Sequence, residues 1–510
     1  MVFSAQKRTM ALVYFSSIVE RADEQVLPSV YFFVGRSLGA TPSQLGGLTF
    51  CRAIVQALSS PVSGLIGDRF DRTHVIAAGC FLWGLMTSAI ATAKSVHQAM
   101  IYAGANGVGL ALVIPCCQSL IADYHPAETR GRAFGFMQFI GSLGIMVGGV
   151  FSTNVGHLTP FGMDGWRVAL HSIALLSFVT GFLVVAFAVD PRHGSKGAKE
   201  AKESEETVSL LEQGKAVSNN GQGRARPRTS LSPISNKQMQ WSGQQQQHVP
   251  MNSDVPNGHQ KASKFTLGQT LKEIRWVLGI RSFQIVILQG VVGSTPWNAM
   301  VFFTLWFQLL GFSDFNASAL LAIFNLGNAL GGILGGTIAD KMSILYPNNG
   351  RIFTAQFSVL CGLPFSVVLL KVLPMMGVEG NLTLYGFVLF TMGLLISWCQ
   401  SGCNSPVFAD IVPESLYSKI YAFDRSFEGA IAATAAPLVG FVSEHLFGFS
   451  GDVSEGRGED KSNAESLGNS LLLCLVVPWF LCFLFYGGLH WSYPRDRLAA
   501  KDKDSRRDAI

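Results

Sequence analysis

The sequence predicts an all-α membrane protein of twelve transmembrane helices arranged as two pseudo-symmetric six-helix bundles, and three observations predict it. The chain of 510 residues is 49% hydrophobic and only 14% charged, whereas a soluble protein carries roughly a quarter charged residues. Apolar stretches of about twenty residues, the length that crosses a bilayer core, recur twelve times, six on each side of one long polar insert. The two sets of six also share local sequence.

In order, the spans are predicted at 10 to 34, 45 to 66, 75 to 93, 99 to 121, 133 to 155, 167 to 189, 283 to 309, 316 to 338, 352 to 372, 382 to 408, 421 to 445 and 468 to 490. Twelve spans put both termini on one side. Arg69, Arg72, Arg130, Arg132, Lys341, Arg351, Lys419 and the basic tail from Arg495 to Arg507 fall in one set of loops, which the positive-inside bias makes cytoplasmic. The opposite loops are poor in Lys and Arg, and the longest, Glu444 to Glu465, is acidic. The sequons at Asn316 and Asn381 lie on that outer side, too close to the membrane for use. The net charge of +5 is accounted for by topology and gives no reason to expect a nucleic-acid partner. No cleavable signal peptide is evident. All nine cysteines lie in or at the ends of apolar stretches without ligand-like spacing, so neither disulfides nor a metal site is expected.

Domain boundaries follow from the same pattern: an N-terminal bundle over 1–189, a linker over 190–264, an amphipathic helix over 265–282, a C-terminal bundle over 283–490 and a cytoplasmic tail over 491–510. The linker is rich in Ser, Gln, Asn, Lys and Glu and includes the run Gln244 to Gln247, a composition that cannot bury a core. Its deletion from Ser195 to Val255 is expected to spare insertion. After it, Phe265, Leu267, Leu271, Ile274 and Trp276 have roughly helical spacing, as in a helix lying on the membrane surface. Arg224, Arg226 and Arg228 precede Thr229, Ser230 and Ser232; a solvated linker explains this run more simply than a phosphorylation site.

The stretch from Ile18 to Pro28 organises the rest. Glu20, Arg21, Asp23 and Glu24 sit near the middle of the first span, where a charged side chain costs about 2.5 to 3.5 kcal/mol and therefore faces a protein interior or an aqueous cavity. Helical spacing puts Glu20, Asp23 and Glu24 on one face with Arg21 on its flank. Arg52 in span 2 is the expected partner for one of these acids, because an arginine left alone there costs as much as they do. The other polar residues expected around a central cavity are Gln56, Asn106, Gln118, Trp297, Asn298, Asn325, Asn328, Gln400, Asn404 and Glu428, although any single amide serves equally well as a helix-to-helix hydrogen-bond partner. Pro28, Pro296 and Pro437 mark expected bends, and Trp166, Arg167 and His171 are expected to anchor span 6 at the outer interface.

Internal repetition ties the halves together, as it does in many transporter folds. Gln44 to Asp68 aligns without a gap on Asn316 to Asp340, and Ala122-Asp123 through Pro126 recurs as Ala409-Asp410 through Pro413. Gly64-Leu-Ile-Gly67-Asp68-Arg69-Phe-Asp71-Arg72 closes span 2. Here the sequence resembles the major facilitator superfamily, whose loop between spans 2 and 3 reads Gly-x-Leu-Ala-Asp-Arg-x-Gly-Arg-basic; Gly336 to Lys341 gives the partial repeat in the second half. Ala103 to Gly109 resembles the family's Arg-x-x-Gln-Gly-x-Gly motif with Ala103 and Asn106 in place of the arginine and glutamine. Gly144 to Gly149 resembles the antiporter motif without its proline, and is better read as small-residue helix packing. Glu20-Arg21 upstream of Pro28 resembles the acid-arginine pair of spinster-type and organic-anion facilitators. With Asp424, Arg425 and Glu428 at the start of span 11, the chain is most similar to a plant and algal branch of spinster-like facilitators.

That resemblance implies a transporter, not an enzyme, that works by alternating access on a small organic or lipid-like solute, with protons as a candidate coupling ion and no cofactor. Spinster relatives move lipids and lysolipids. The alternative from another class is a non-transporting membrane sensor or structural protein on the same scaffold, which has no need of mid-membrane acids. The resemblance and the repeat together imply a cytoplasmic gate formed by Gly64, Asp68, Arg69, Arg72, Arg130, Arg132, Asp340, Asp424 and Arg425. In it Asp68 meets the start of span 11 and Asp340 meets span 5 near Arg130 to Arg132.

Overall fold

A computed structural model describes residues 5–125, 127–192, 277–378, 380–411, 428–450 and 457–507. Among them there is no strand, and the helices follow the predicted spans in order. Nine helices among the described residues are long and apolar enough to cross a membrane. Span 1 is diluted by its charges, and only Ala435–His445 of span 11 stands as one continuous described helix. Residues 193–276, which hold the predicted linker and most of the amphipathic helix, lie outside the described residues, as do 412–427.

Span 1 starts earlier than its apolar stretch and is broken. Ala5–Ser29 is followed by Tyr31–Leu38, with Pro28 at the junction, and the second piece ends on Gly39 at φ 61°, a left-handed conformation that glycine adopts without a Cβ clash. Span 2, Pro42–Arg69, then starts on a capping box in which Thr41 accepts from the Gln44 amide and the Gln44 side chain accepts from Thr41. The second half repeats this local chemistry. Arg281–Ala299, a short 3₁₀ turn and Phe303–Leu309 form span 7; Gly311 has φ 100°, and Ser313 caps span 8, Asp314–Leu345, by accepting from Asn316. Gln44 and Asn316 are the first residues of the gapless sequence repeat, and each occupies the third position of its helix.

The remaining spans are Arg72–Thr92, Val96–Tyr124, Ala127–Gly156 and Gly165–Phe187 in the first half. In the second half Gly350–Val367 runs through a π-helical turn at Val368–Val372, Leu382–Ile396 is followed by another at Gln400–Asn404, and Arg457–Arg507 forms span 12. Helix continues past the predicted end of span 12 to Arg507. Close packing inside the first half depends on glycine, as at Gly107 of span 4, where a Cβ would fall 2.3 Å from the Arg52 carbonyl oxygen of span 2.

Both termini lie at one end of the bundle. There Gln6 donates to the Tyr124 carbonyl, Arg8 to that of Phe187, and Arg497 to that of Pro347. The halves meet at the opposite, far end. Tyr31 lies against Phe302 with ring centroids 5.4 Å apart, the start of span 2 packs on span 11, and the end of span 5 packs on the start of span 8. Trp166, Arg167 and His171 correct the interfacial expectation. Trp166 is fully buried, Arg167 donates to the Ala91 and Ala93 carbonyls while stacking 4.3 Å over the Trp166 ring, and His171 pairs with Ser88.

Candidate transport site

Span 1 brings its charged groups to two faces with different fates. Glu20 and Asp23 are buried at 5% and 3% exposure, whereas the side chains of Arg21 and Glu24 are 36% and 52% exposed. Asp23 is held from three sides. Its Oδ2 lies 3.2 Å from Arg52 Nη2, its Oδ1 accepts from Thr87 Oγ1 at 2.9 Å, and Arg52 Nη1 donates to its backbone carbonyl at 3.3 Å. Asn106 completes the network by donating to Thr87 Oγ1 and to the Trp83 carbonyl. The carboxylate thus joins spans 1, 2 and 3: the Arg52 charge lies beside Oδ2, which accepts no hydrogen bond, and Oδ1 accepts from Thr87.

The opposite face is looser. Arg21 Nη1 donates to Glu24 Oε2 at 2.7 Å and its Nε lies 3.5 Å from Glu20 Oε2. One cation thus serves two acids. The arginine stem passes over span 5, where a Cβ on Gly141 would fall 3.2 Å from Arg21 Cγ; Gly144 and Gly148 face the Ile18 and Ala22 carbonyl oxygens. Those glycines have the packing role that the sequence favoured.

Across from this cluster, Glu428 is a buried acid that accepts from Ser294 Oγ of span 7 and lies against Gly290, where a Cβ would be 3.0 Å from its carboxyl carbon. Asn298 donates to the Ser294 carbonyl and Asn325 to that of Leu321, each within its own helix. Trp297 is half-buried beside Phe324, and Asn404, in the π-helical turn of span 10, accepts from Tyr486 at 2.7 Å. Gln56 and Asn328 are half-buried and Gln118 is exposed. Asn106 is the clearest departure from the expected cavity lining: it is 1% exposed and points into the helix packing. Thr87 and Ser294 went unpredicted, because a lone hydroxyl in an apolar span has no sequence signal that separates it from one bonded to its own helix.

At the terminal end the described part of the expected gate is built around Arg72. Arg72 does not sit at the surface; it is 1% exposed and is gripped by Asp190, which receives its Nε, Nη2 and backbone N–H, and by Asp123 at 2.7 Å. Arg192 adds a second bridge to Asp123 at 2.6 Å. Burial pushes the Asp190 carboxyl up, but hydrogen bonds from Arg72 and from the Arg192 amide outweigh it and hold the group well below the usual carboxylate range. Asp340 pairs with Arg351 at 2.8 Å within its own half. Arg69 and Arg132 are exposed, and Gly64 lies within the span 2 helix. The side chains of Asp68 and Arg130, and all of Asp424 and Arg425, lie outside the described residues. Asp410, which the repeat aligns with Asp123, accepts from Tyr493 and lies 3.3 Å from Arg497.

The Asp23 joint yields a direct test. Arg52→Gln alone leaves a buried carboxylate without its cation, which typically costs about 3 to 5 kcal/mol, so its melting transition in detergent should fall well below that of wild type. Adding Asp23→Asn removes the orphaned charge and should recover most of the loss. A double variant no more stable than Arg52→Gln would refute the pairing.

Comparison with known proteins places this geometry. With a bacterial homolog of the human lysosomal transporter Spinster, in an inward-facing and unoccupied conformation, the chain superposes at a TM-score of 0.73 with 15% identity, covering 98% of this chain and 99% of that one. The nucleoside transporter NupG gives 0.63 at 12% identity over 95% and 99%, and a D-xylose-proton symporter 0.58 at 14% over 93% and 97%. At such identities the likeness is one of fold. The quinolone resistance protein NorA of Staphylococcus aureus is 27% identical over 153 residues, 29% of this chain and 38% of NorA, so the chain spans well under half the length of that relative. The family model described as Major Facilitator Superfamily matches residues 13–437, and the chain, an integral multi-pass membrane protein, belongs to that family.

Proposed function

We propose that this protein is a secondary transporter that carries a small organic or lipid-like solute by alternating access of its two halves, with Glu20 as the proton-coupling group. The supporting observation is the contrast within span 1. Asp23 is engaged by Arg52 and Thr87, whereas Glu20, equally buried, shares a single arginine with Glu24 at the longer distance of 3.5 Å. A carboxyl in a low-dielectric setting gains proton affinity when its cation moves away and loses it when the cation returns. Movement of Arg21 between Glu20 and Glu24 would therefore bind a proton in one state and release it in the other. The Lys and Arg bias supports placing the terminal end in the cytoplasm, so that closure of the far end corresponds to the inward-facing state. We read 1–189 and 283–490 as the two moving bundles and the polar stretch between them as their tether.

The test is a comparison of metabolites and lipids taken up by sealed vesicles with and without the protein, followed by single substitutions. Glu20→Gln should still exchange the solute identified this way across equilibrated vesicles but lose at least tenfold in accumulation when a pH gradient is imposed. Asp23→Asn should reduce stability instead. If Glu20→Gln accumulates solute as wild type does, proton coupling at this site is wrong. If no vesicle content changes for the folded wild type, the sensor reading takes its place.

A further inference from the structure

The far end is closed along two seams that are alike in architecture and different in chemistry. In one, the N-terminus of span 2 meets the end of span 11, and the Ser43 backbone N–H donates to Glu444 Oε1 at 2.6 Å. In the other, the N-terminus of span 8 meets the end of span 5. Asn154 donates to Ser318 Oγ at 3.1 Å, and His157 Nδ1 lies 3.2 Å from Asp314 Oδ2. Pseudo-symmetry thus sets an acid against one helix start and an imidazole against the other.

His157 is placed to exchange protons with the solution on that side. Its side chain is 51% exposed, and it borders a cavity of about 460 Å³ lined from both halves. Among the described residues the groups that face it are few. Asp314 is 23% exposed and its Oδ1 accepts from Gln308 Nε2 at 2.7 Å, which orients Oδ2 toward the imidazole. Asn154 lies on the span 5 helix, which ends at Gly156 just before His157, and Phe32, with the Arg36 guanidinium 5.6 Å from its ring centroid, lines the same cavity. Among the described residues Asp314, 3.2 Å away, is the charge in contact with His157.

We infer that His157 is a proton sensor on the far face, and that proton uptake there holds the far end shut. The inference rests on the alternating-access reading and adds a regulatory input to it. Histidine is the side chain that ordinarily changes charge between pH 5 and 8. Neutral, its Nδ1–H can offer the Asp314 carboxylate a hydrogen bond; protonated, the same contact gains the Coulomb attraction of an ion pair. His157 belongs to one half and Asp314 to the other, so separation of the halves breaks this contact. Proton binding and closure therefore favour each other, as linkage requires of any ligand that prefers one state. Acid on the far side strengthens this seam, and its contribution fades as the pH rises and the imidazole loses its proton. At the other seam protonation acts in the opposite sense, since a protonated carboxyl accepts more weakly from Ser43, and Glu444→Gln separates the two.

Paired spin labels at Met163→Cys and Leu446→Cys, in a background with the native cysteines replaced, report the far-end separation without touching either seam contact. In the reconstituted protein the ratio of closed to open populations should rise about two- to fivefold between about pH 8 and about pH 5.5, the range expected for a partly exposed ion pair. Glu20→Gln, which silences the acid proposed for coupling, and Glu444→Gln should each retain a rise. In the Glu20→Gln background His157→Gln, which keeps a hydrogen bond but cannot titrate, should abolish it, and Asp314→Asn should abolish it independently. A wild-type distribution that ignores pH overturns the inference, as does a rise that survives either substitution in that background, or one that disappears with Glu20→Gln alone. Distances that respond to pH in a protein that moves no solute would leave the sensor standing and remove the transport reading.

Discussion

Gly46→Val should abolish solute exchange while leaving both bundles folded. A Cβ at residue 46 would lie 2.4 Å from the Ala436 carbonyl oxygen and 2.6 Å from the Pro437 nitrogen, and these are backbone atoms of the other half that no rotamer change can move aside. The three nearest atoms all belong to the other half, so this strain is felt when the far end closes. The variant should therefore populate the far-open state almost exclusively. Exchange in vesicles is expected to fall by at least a hundredfold, with melting in detergent close to wild type and the labels at 163 and 446 reporting only the wide separation. Gly440 faces Ser43 backbone atoms at 2.2 to 2.4 Å on the same seam, and Gly440→Val should behave alike. Normal exchange by both variants would mean that the seam does not need this close approach.

The second large effect is on stability. Arg72→Met should lower the melting transition more than any other single change at the terminal end, because it strands Asp190, whose side chain is 0% exposed, beside Asp123. Breaking a buried ion pair from one side costs about 3 to 5 kcal/mol, and pairing Arg72→Met with Asp190→Asn should restore part of it. The pH dependence has a definite sign. Asp190 is held below its unfolded-state value, so its contribution is fully present above the ordinary aspartate range, near pH 4, and is lost as the pH falls through the depressed value. The wild-type melting transition should owe no change between pH 7 and pH 5 to this group. An Arg72→Met protein as stable as wild type would show that the cluster contributes nothing net.

Much of the architecture was legible because membrane crossing imposes coarse, additive rules. Apolar length located the spans, and the gapless match from Gln44 and Asn316 located helix starts with equivalent caps at Thr41 and Ser313. The partnership of Arg52 with a span 1 acid was legible for a similar reason: few alternatives exist for a buried cation. What stayed hidden depends on partners distant in sequence. Arg72 read as a loop residue beside Arg69 because its ligands, Asp123 and Asp190, lie at the end of span 4 and just past span 6. Asn106 looked like cavity lining because nothing in span 4 reveals that Thr87 waits for its amide. Span 1 begins before its apolar stretch because Gln6 and Arg8 find backbone carbonyls at the ends of spans 4 and 6, and hydropathy does not register such ties.

The helix Arg457–Arg507 carries a mechanical consequence. Its 51 residues amount to roughly 77 Å at about 1.5 Å per residue, far more than the roughly 30 Å of a hydrocarbon core. Past the membrane it is lashed to its own half: the Ser282 amide donates to Asp496 at 2.8 Å, and Arg497 reaches both the Pro347 carbonyl and Asp410. The last ten residues to Arg507 therefore continue from an anchored base as a stiff lever of about 15 Å. Any tilt of the second bundle becomes an angular sweep at its tip, and a fluorophore fixed rigidly near Arg507 would turn each conformational cycle of a single molecule into a change of dipole orientation visible by polarised emission.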